Sequence, residues 1–485
     1  MAKLERRNST NAHNSTYILG IDIGTTSVKV CLLNTQTREV VVKNVKDTLS
    51  STPSELGVSG DKQDVSKIYS ALHSCISRIS KELLRRVIHI SVCGQMHGVV
   101  YWKQEEGWTR NSKDQVEVGS GVSSLYTWQD GRCTPDYLST LPKPNSHLTL
   151  NSGYGCATTF WFLHNRTEYI KQFDRFGTIM DFIVAMILGL EFPVMADQNA
   201  ASFGYFDSIN MNWNKDLLQE AGFSTNLLPQ VVRAGISAGN LVKDWFDVPA
   251  GTPVSAAMGD LQCSVKSTLE TPETDAVVNV STSAQMAFVQ PEGFQPKLIS
   301  NENLHKPVEY FPYFEDRYIA VAASMTGGNA LAAFIKMIQQ WVIQLGVNVT
   351  QSKIWETALA AGFEEKNEPS IDILPTIFGE RHSPEQKGSA VNINQGNLGL
   401  GEVTRSVCRG IIANLAAMMP PEMLKQRGIT RIVGSGACLI RNQVLQREIQ
   451  EQYRLPVIFE DEGNACIGAA LAVSDKFYPT VIKKK

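Results

Sequence analysis
The chain has 485 residues, of which 43% are hydrophobic, with 45 basic against 48 acidic side chains for a net charge of −3. That length exceeds what one hydrophobic core serves, so two large domains are expected. The near-balanced charge, with no basic stripe, excludes nucleic acid and an anionic membrane surface as expected partners and leaves small molecules.

The first sixteen residues, MAKLERRNSTNAHNST, lack an apolar stretch and read as a polar, disordered tail. The longest strongly apolar run, FIVAMILGL at 182–190, is nine residues long, too short to span a bilayer. Nine cysteines, an odd number at scattered spacings, form neither a zinc motif nor a small disulfide scaffold, and a reducing, cytoplasmic setting is expected.

Residues 17–33, YILGIDIGTTSVKVCLL, form the first ordered element. Two β-rich runs flank Gly24-Thr25-Thr26, which predicts a hairpin whose tip carries one carboxylate, Asp22, a flexible backbone and two hydroxyls. Such groups suit a metal-bound polyphosphate, because glycine lets N–H groups approach phosphate oxygens and a carboxylate holds Mg²⁺. A plain hairpin with an Asx-type turn is the alternative.

Residues 64–84 follow with helical spacing, then a strand and Gly-bounded loop at RVIHISVCGQMHGVVYW. The order hairpin, helix, strand, loop predicts an α/β layered domain. A polar, turn-rich stretch from Gly107 to Pro144 reads as an insertion lining a cleft. Beyond Pro253 a strand delivers Asp260 to a helix start, where an N-cap is the bland reading.

Residues 275–289, DAVVNVSTSAQMAFV, then repeat the opening hairpin. Asn279 to Ser283 stand at a constant offset of 257 from Asp22 to Thr26; the hydroxyls recur and the carboxylate does not. RIVGSGACLIRN at 431–442 likewise echoes HISVCGQMHG at 89–98, so the chain reads as two copies of one domain sharing a cleft.

A duplicated α/β core with Asp-x-Gly-Thr-Thr in its first hairpin resembles the actin-like (ribonuclease H-like) ATPases. The motifs GQMHG (94–98), WQDGR (128–132), DQNAASFGYFD (197–207), GDLQ (259–262), PTIFGERHSP (375–384) and GSGACLIRNQVLQ (434–446) stand in the order seen in the FGGY carbohydrate kinases. The resemblance implies residues 17–268 as a sugar-binding N-terminal domain with the catalytic base. It implies 269–475 as a nucleotide-binding C-terminal domain, followed by a basic tail at 476–485.

It further implies ATP and Mg²⁺ as cofactors and a ketose as substrate. The likeness of CGQMHGVV, TWQDGRC, ADQNAAS and GDLQ favours a seven-carbon ketose, phosphorylated on its terminal hydroxyl for the pentose phosphate pathway. Asp260 is then the base that accepts the alcohol proton, kept ionised by the helix dipole, and Asp22 positions the metal. Thr25, Thr26, Ser27 and Lys29 would contact phosphates, with Lys29 open to a second reading as a solvent-facing edge lysine.

Ser281, Thr282 and Ser283 would grip the outer phosphates from the opposite wall, with Gly327, Gly328, Gly436 and Asn442 on the nucleotide side. Here the chain departs from the family's Gly-Gly-Gly start, having Ser435 in the middle, and its spacing to Asn442 is long. Gln95, Met96, His97, Trp128, Asp130 and Arg132 would hold the sugar. Gln262 would either reach it or point away on its helix. Two rivals are a family member acting on xylulose or a polyol, and an actin-like ATPase of chaperone or cytoskeletal type.

Overall fold
A computed structural model describes residues 15–298, 306–365, 370–383, 385–460 and 463–479. The expected N-terminal tail lies outside these residues up to 14, as does 480–485.

The first half is built on β1 (Tyr17–Ile23), β2 (Ser27–Asn34), β3 (Val40–Asp47), α1 (Val65–Ile76), β4 (Val87–Gly94), α2 (Ile179–Leu188), α3 (Asp197–Phe203), β5 (Ser237–Asn240), β6 (Pro253–Ser255), β7 (Met258–Gly259) and α4 (Asp260–Thr268). Its sheet runs β5-β6-β4-β1-β2-β3, with β7 also on β4. Every residue of β1 is buried, as a central strand covered on both faces requires, whereas β3 is the exposed, lysine-bearing edge. Helix α1 begins at Asp64, whose carboxylate accepts from the Lys67 amide at 3.1 Å, and buries Val65, Ile68, Leu72, Cys75 and Ile76 on one stripe.

The second half comprises β8 (Asp275–Val280), β9 (Ala284–Val289), β10 (Val308–Pro312), β11 (Tyr318–Ser324), α5 (Gly328–Gln344), α6 (Leu400–Met418), β12 (Arg431–Ser435), α7 (Gln443–Tyr453), β13 (Val457–Phe459) and α8 (Ala465–Phe477). Its sheet order is β10-β11-β9-β8-β12-β13. In both sheets the first two strands form an antiparallel hairpin, and the first strand pairs in parallel with the strand that ends at a glycine loop. The order β3-β2-β1-β4-β6 thus recurs as β11-β9-β8-β12-β13, the duplication expected from the repeated hairpin.

The copies differ by one residue at the hairpin tip. Ile23 pairs with Val28 across 24–27, but Val280 pairs with Ala284 across 281–283 alone. The constant offset therefore holds through the first strand and fails in the second, so Lys29, opposite Asp22, has Gln285, opposite Asn279, as its counterpart.

Helix α8, expected to close the second half, packs instead across the first. It lies on β1, β4 and α4, and the Ser91 hydroxyl donates to the Ala469 carbonyl at 2.7 Å. A Cβ on Gly468 would collide with the Cys263 carbonyl of α4, so this crossing needs glycine for close approach. The expected tail starts too early at 476. Phe477 still belongs to α8 and stacks on His89 at 5.3 Å, and the Tyr478 hydroxyl donates to the Ile88 carbonyl at 3.4 Å. Among the described residues no helix is long and apolar enough to cross a membrane.

Candidate active site
Strands β1, β4 and β7 end side by side, with Ile23 opposite Gly94 and Gly94 opposite Gly259. That register brings Asp22, Gln95 and Asp260 to one edge of the sheet, the carboxyl end where open α/β sheets bind ligands. Gly259 is the N-cap of α4 and Asp260 its first helical residue; the Asp260 carboxylate accepts from the Leu261 amide at 2.8 Å. Burial, reinforced by the negative charge of Asp22, pushes the Asp260 carboxyl up to about 7. This corrects the expectation that the helix dipole keeps it fully ionised: desolvation and a second carboxylate outweigh one helix end.

Asp22 is itself pushed up to about 6 by burial, against the pull of Lys29. The Lys29 ammonium stands 3.8 Å from the Asp22 carboxylate on β2, an interior strand of the sheet, so the reading as an edge lysine is set aside. The other Asp22 oxygen is buried without a protein partner.

The first hairpin is closed by the Gly24 amide donating to the Ser27 carbonyl at 3.1 Å, leaving Thr26 exposed at the tip. The Thr25 hydroxyl accepts from the Trp128 indole N–H at 3.1 Å and donates to the Gln95 amide oxygen at 3.4 Å. Gln63, which the sequence reading missed, donates to the Thr25 carbonyl at 2.8 Å and accepts from Gln95 at 3.1 Å. The first hairpin and the loops carrying Gln95 and Trp128 are thus one hydrogen-bonded unit.

His97 occupies the left-handed region at φ 74, and its Nδ1–H donates to the Ser202 carbonyl at 3.0 Å. Its ring lies flat on Tyr154, 4.7 Å between centroids. Burial, with Arg381 nearby, pushes the imidazole down to about 4, so it is neutral at pH 7. Gln262 faces Met96 rather than away: a Cβ on Gly259 would collide with both side chains. Its amide donates to the Pro312 carbonyl at 3.2 Å, while its oxygen is buried and unpartnered. Gln198 and Asn199 of α3 brace the segment before Asp260, accepting from the Gly259 amide at 3.1 Å and donating to the Ala257 carbonyl at 2.8 Å.

Asp130 is committed to protein partners, whereas the Arg132 Nη1 is buried without one. Both side chains are fully buried and pair through two bonds, 2.7 and 3.0 Å, and Asp130 also accepts from the Asp61 amide at 3.0 Å. The guanidinium is packed over Tyr126 and Phe162 at 4.4 and 4.6 Å. A carboxylate so committed has no lone pairs turned to a ligand, so the pair fixes the insertion that carries Trp128.

In the second half, the Gly328 amide donates to the Ser281 carbonyl at 2.9 Å and the Asn329 amide to the Thr282 carbonyl at 3.0 Å, seating Gly327 and Gly328 against the second hairpin. Gly436, at φ 99, lies against the Val280 backbone with no room for a Cβ. Ser435, the departure from the family pattern, accepts from the Asn279 amide at 3.2 Å, so the two departures are partners. Glu380, also missed, accepts from the Ser324 hydroxyl at 2.6 Å, the Met325 amide at 2.8 Å and Asn414 at 2.8 Å, pinning the turn before Gly327. Asn442 is a buried N-cap of α7, accepting from the Val444 and Leu445 amides at 3.0 and 3.2 Å, and is committed there rather than open to an adenine.

Among the described residues no three His, Cys, Asp or Glu side chains converge as a metal cage. Mg²⁺ brought by a nucleotide takes one or two carboxylates and keeps waters and phosphate oxygens; the unpartnered Asp22 oxygen is the donor it would use.

A carboxylate at a helix start, beside the hydroxyl-tipped hairpin of a duplicated two-domain sheet, is an arrangement that suits phosphoryl transfer. The profile of the FGGY family of carbohydrate kinases, N-terminal domain, matches residues 17–266. The sedoheptulokinase of Mus musculus is 44% identical over 463 residues, covering 94% of this chain and 96% of its own. The xylulose kinase of Escherichia coli is 24% identical over 436 residues, 86% of this chain and 82% of its own. The crystal structure of xylulose kinase from Rhodospirillum rubrum has the same fold, with a TM-score of 0.74 at 16% identity over 95% of this chain and 90% of its own. The chain belongs to the FGGY family of carbohydrate kinases and is an ATP-dependent carbohydrate kinase.

Proposed function
We propose that the protein transfers the γ-phosphoryl group of ATP to the terminal hydroxyl of sedoheptulose, giving sedoheptulose 7-phosphate and ADP in the cytoplasm. Near-full-length identity of 44% to a sedoheptulokinase, against 24% to a xylulose kinase, carries the choice of sugar. All nine cysteines are free thiols, which agrees with a reducing compartment.

In this reading Asp260 takes the hydroxyl proton as the alcohol oxygen forms its bond to phosphorus and the bond to the β-phosphate oxygen breaks. Gln95, Met96, His97, Trp128 and Gln262 orient the sugar; the unpartnered Gln262 oxygen and the neutral imidazole are free to meet hydroxyls. Thr25, Thr26, Ser27 and Lys29 on one wall, and Ser281, Thr282 and Ser283 on the other, hold the phosphates. Gly327, Gly328 and Gly436 let the backbone come close on the nucleotide side. Asp22 would hold Mg²⁺ through its unpartnered oxygen, and the metal would supply neutralisation of phosphate charge.

The test is sugar-dependent ADP release with Mg-ATP. The expected result is a higher kcat/KM for sedoheptulose than for xylulose, ribulose, fructose or glycerol, with the phosphate on C7 by NMR. A higher value for xylulose or glycerol would leave a kinase of another substrate.

A further inference from the structure
Strand β10 adds an outer edge to the second sheet that the first sheet does not have, and it lies against the first half. The His147 Nε2–H donates to the Tyr310 carbonyl at 2.6 Å, and Gln262, two residues after the base, donates to the Pro312 carbonyl. Between these anchors and the strand's start sits Glu309. Its carboxylate accepts one long bond, 3.5 Å, from the Thr149 hydroxyl, beside the Tyr154 ring that stacks on His97. Arg381, one residue after the pinned Glu380, is close enough to act electrostatically on Glu309, Tyr154 and His97 together.

Burial raises the Glu309 carboxyl above its ordinary range, with Arg381 and Thr149 pulling the other way. The residue is half-buried, and its one long hydrogen bond leaves most of its four acceptor sites without a protein partner. Its charge acts on Tyr154, whose ring stacks on His97, whereas Asp22 is the charge that acts most on Asp260.

Resting on the sedoheptulose reading, we propose that Glu309 is a sugar-binding residue supplied by the second half, accepting hydroxyls on carbons away from the one that reacts. The preference for a long ketose then depends on a group that reaches the sugar only when the halves meet, so correct substrate and closure reinforce each other. A carboxylate suits this task, since its two oxygens accept from vicinal hydroxyls that a shorter sugar does not carry.

The experiment compares the full-length wild type with Glu309→Gln and Glu309→Asp, using sedoheptulose and xylulose with Mg-ATP. Glu309→Gln is expected to lower kcat/KM for sedoheptulose by about tenfold or more, mainly through KM. Xylulose kcat/KM, the Kd of Mg-ADP and the thermal midpoint should stay within about twofold or unchanged. Glu309→Asp, which keeps the charge one methylene further away, should lie between. Equal losses on both sugars, or no loss, would overturn the assignment. Wild-type preference for xylulose would remove the sedoheptulose reading alone, and Glu309 would then be judged by the variant's xylulose-to-glycerol ratio.

Discussion

Replacing Asp260 by Asn tests the reasoning about the base on two independent axes. The amide retains an oxygen for the Leu261 amide, so the helix start is preserved, but it can neither accept the substrate proton nor carry charge. Turnover should fall by about 10²–10⁴, with sugar and nucleotide binding kept. The second axis is stability. Between pH 4 and 7 the folded protein keeps on Asp260 a proton that the unfolded chain has released, because burial and Asp22 raise the carboxyl from 3.8 to about 7. The folded state binds more protons in that window, so wild-type stability falls as pH rises through it, by at most about 4 kcal/mol once both forms are ionised. Asp22, raised to about 6, contributes in the same direction. The neutral amide of Asp260→Asn carries no such penalty. Urea denaturation should therefore show the variant gaining on wild type at pH 8 and much less at pH 5, while wild-type kcat climbs across pH 7 as the base deprotonates. Near wild-type turnover in the variant, or no gain at pH 8, would refute the placement of a strained base at Asp260.

Asp22→Ala should raise the Mg²⁺ concentration needed for half-maximal activity by about tenfold or more, and Asn279→Ala much less, because only the first hairpin keeps a carboxylate; equal effects in a Mg²⁺ titration would mean the hairpins share the task. Arg132→Met should cost about 3–5 kcal/mol of stability by leaving Asp130 charged and buried, with little change in sugar KM among molecules that remain folded. A raised KM with an unchanged denaturation midpoint would return the pair to the sugar site.

Much of the frame was legible because it rests on local chemistry. The hairpin at Gly24-Thr25-Thr26, its repeat at 281–283 and the delivery of Asp260 by a short strand each follow from residues close in sequence. What was not legible depends on long-range placement. Asp130 and Arg132 stand two apart on a turn, and nothing in WQDGR says whether the carboxylate faces a ligand or the neighbouring guanidinium; packing on Tyr126 and Phe162 decides it. Asn442 looked like a base-binding side chain, but a helix begins at the next residue and takes it as a cap. Gln63 and Glu309 lie in no quoted motif, and Gln198 and Glu380 stand in motifs that do not single them out; each matters through a partner at least 32 residues away. Helix α8 could not be assigned to the first sheet from a pattern of small residues alone, since the same pattern serves any close helix crossing.

The unequal hairpins explain how a duplicated fold serves two different ligands. In the first copy Asp22 faces Lys29 across the strands, a charged pair whose carboxylate keeps one oxygen free. In the second copy the equivalent positions are Asn279 and Gln285, both neutral, and the tip is one residue shorter. Had both carboxylates been kept, two anions would line a cleft that must also receive polyphosphate, and repulsion would weaken binding while raising Asp260 further. Neutralising the second copy removes that cost and frees Asn279 to bond Ser435, which ties the second hairpin to the loop at Gly436. The substitution that breaks the family's glycine pattern is thus the partner of the one that breaks the repeat, and in the proposed function the metal-facing role falls to the first half.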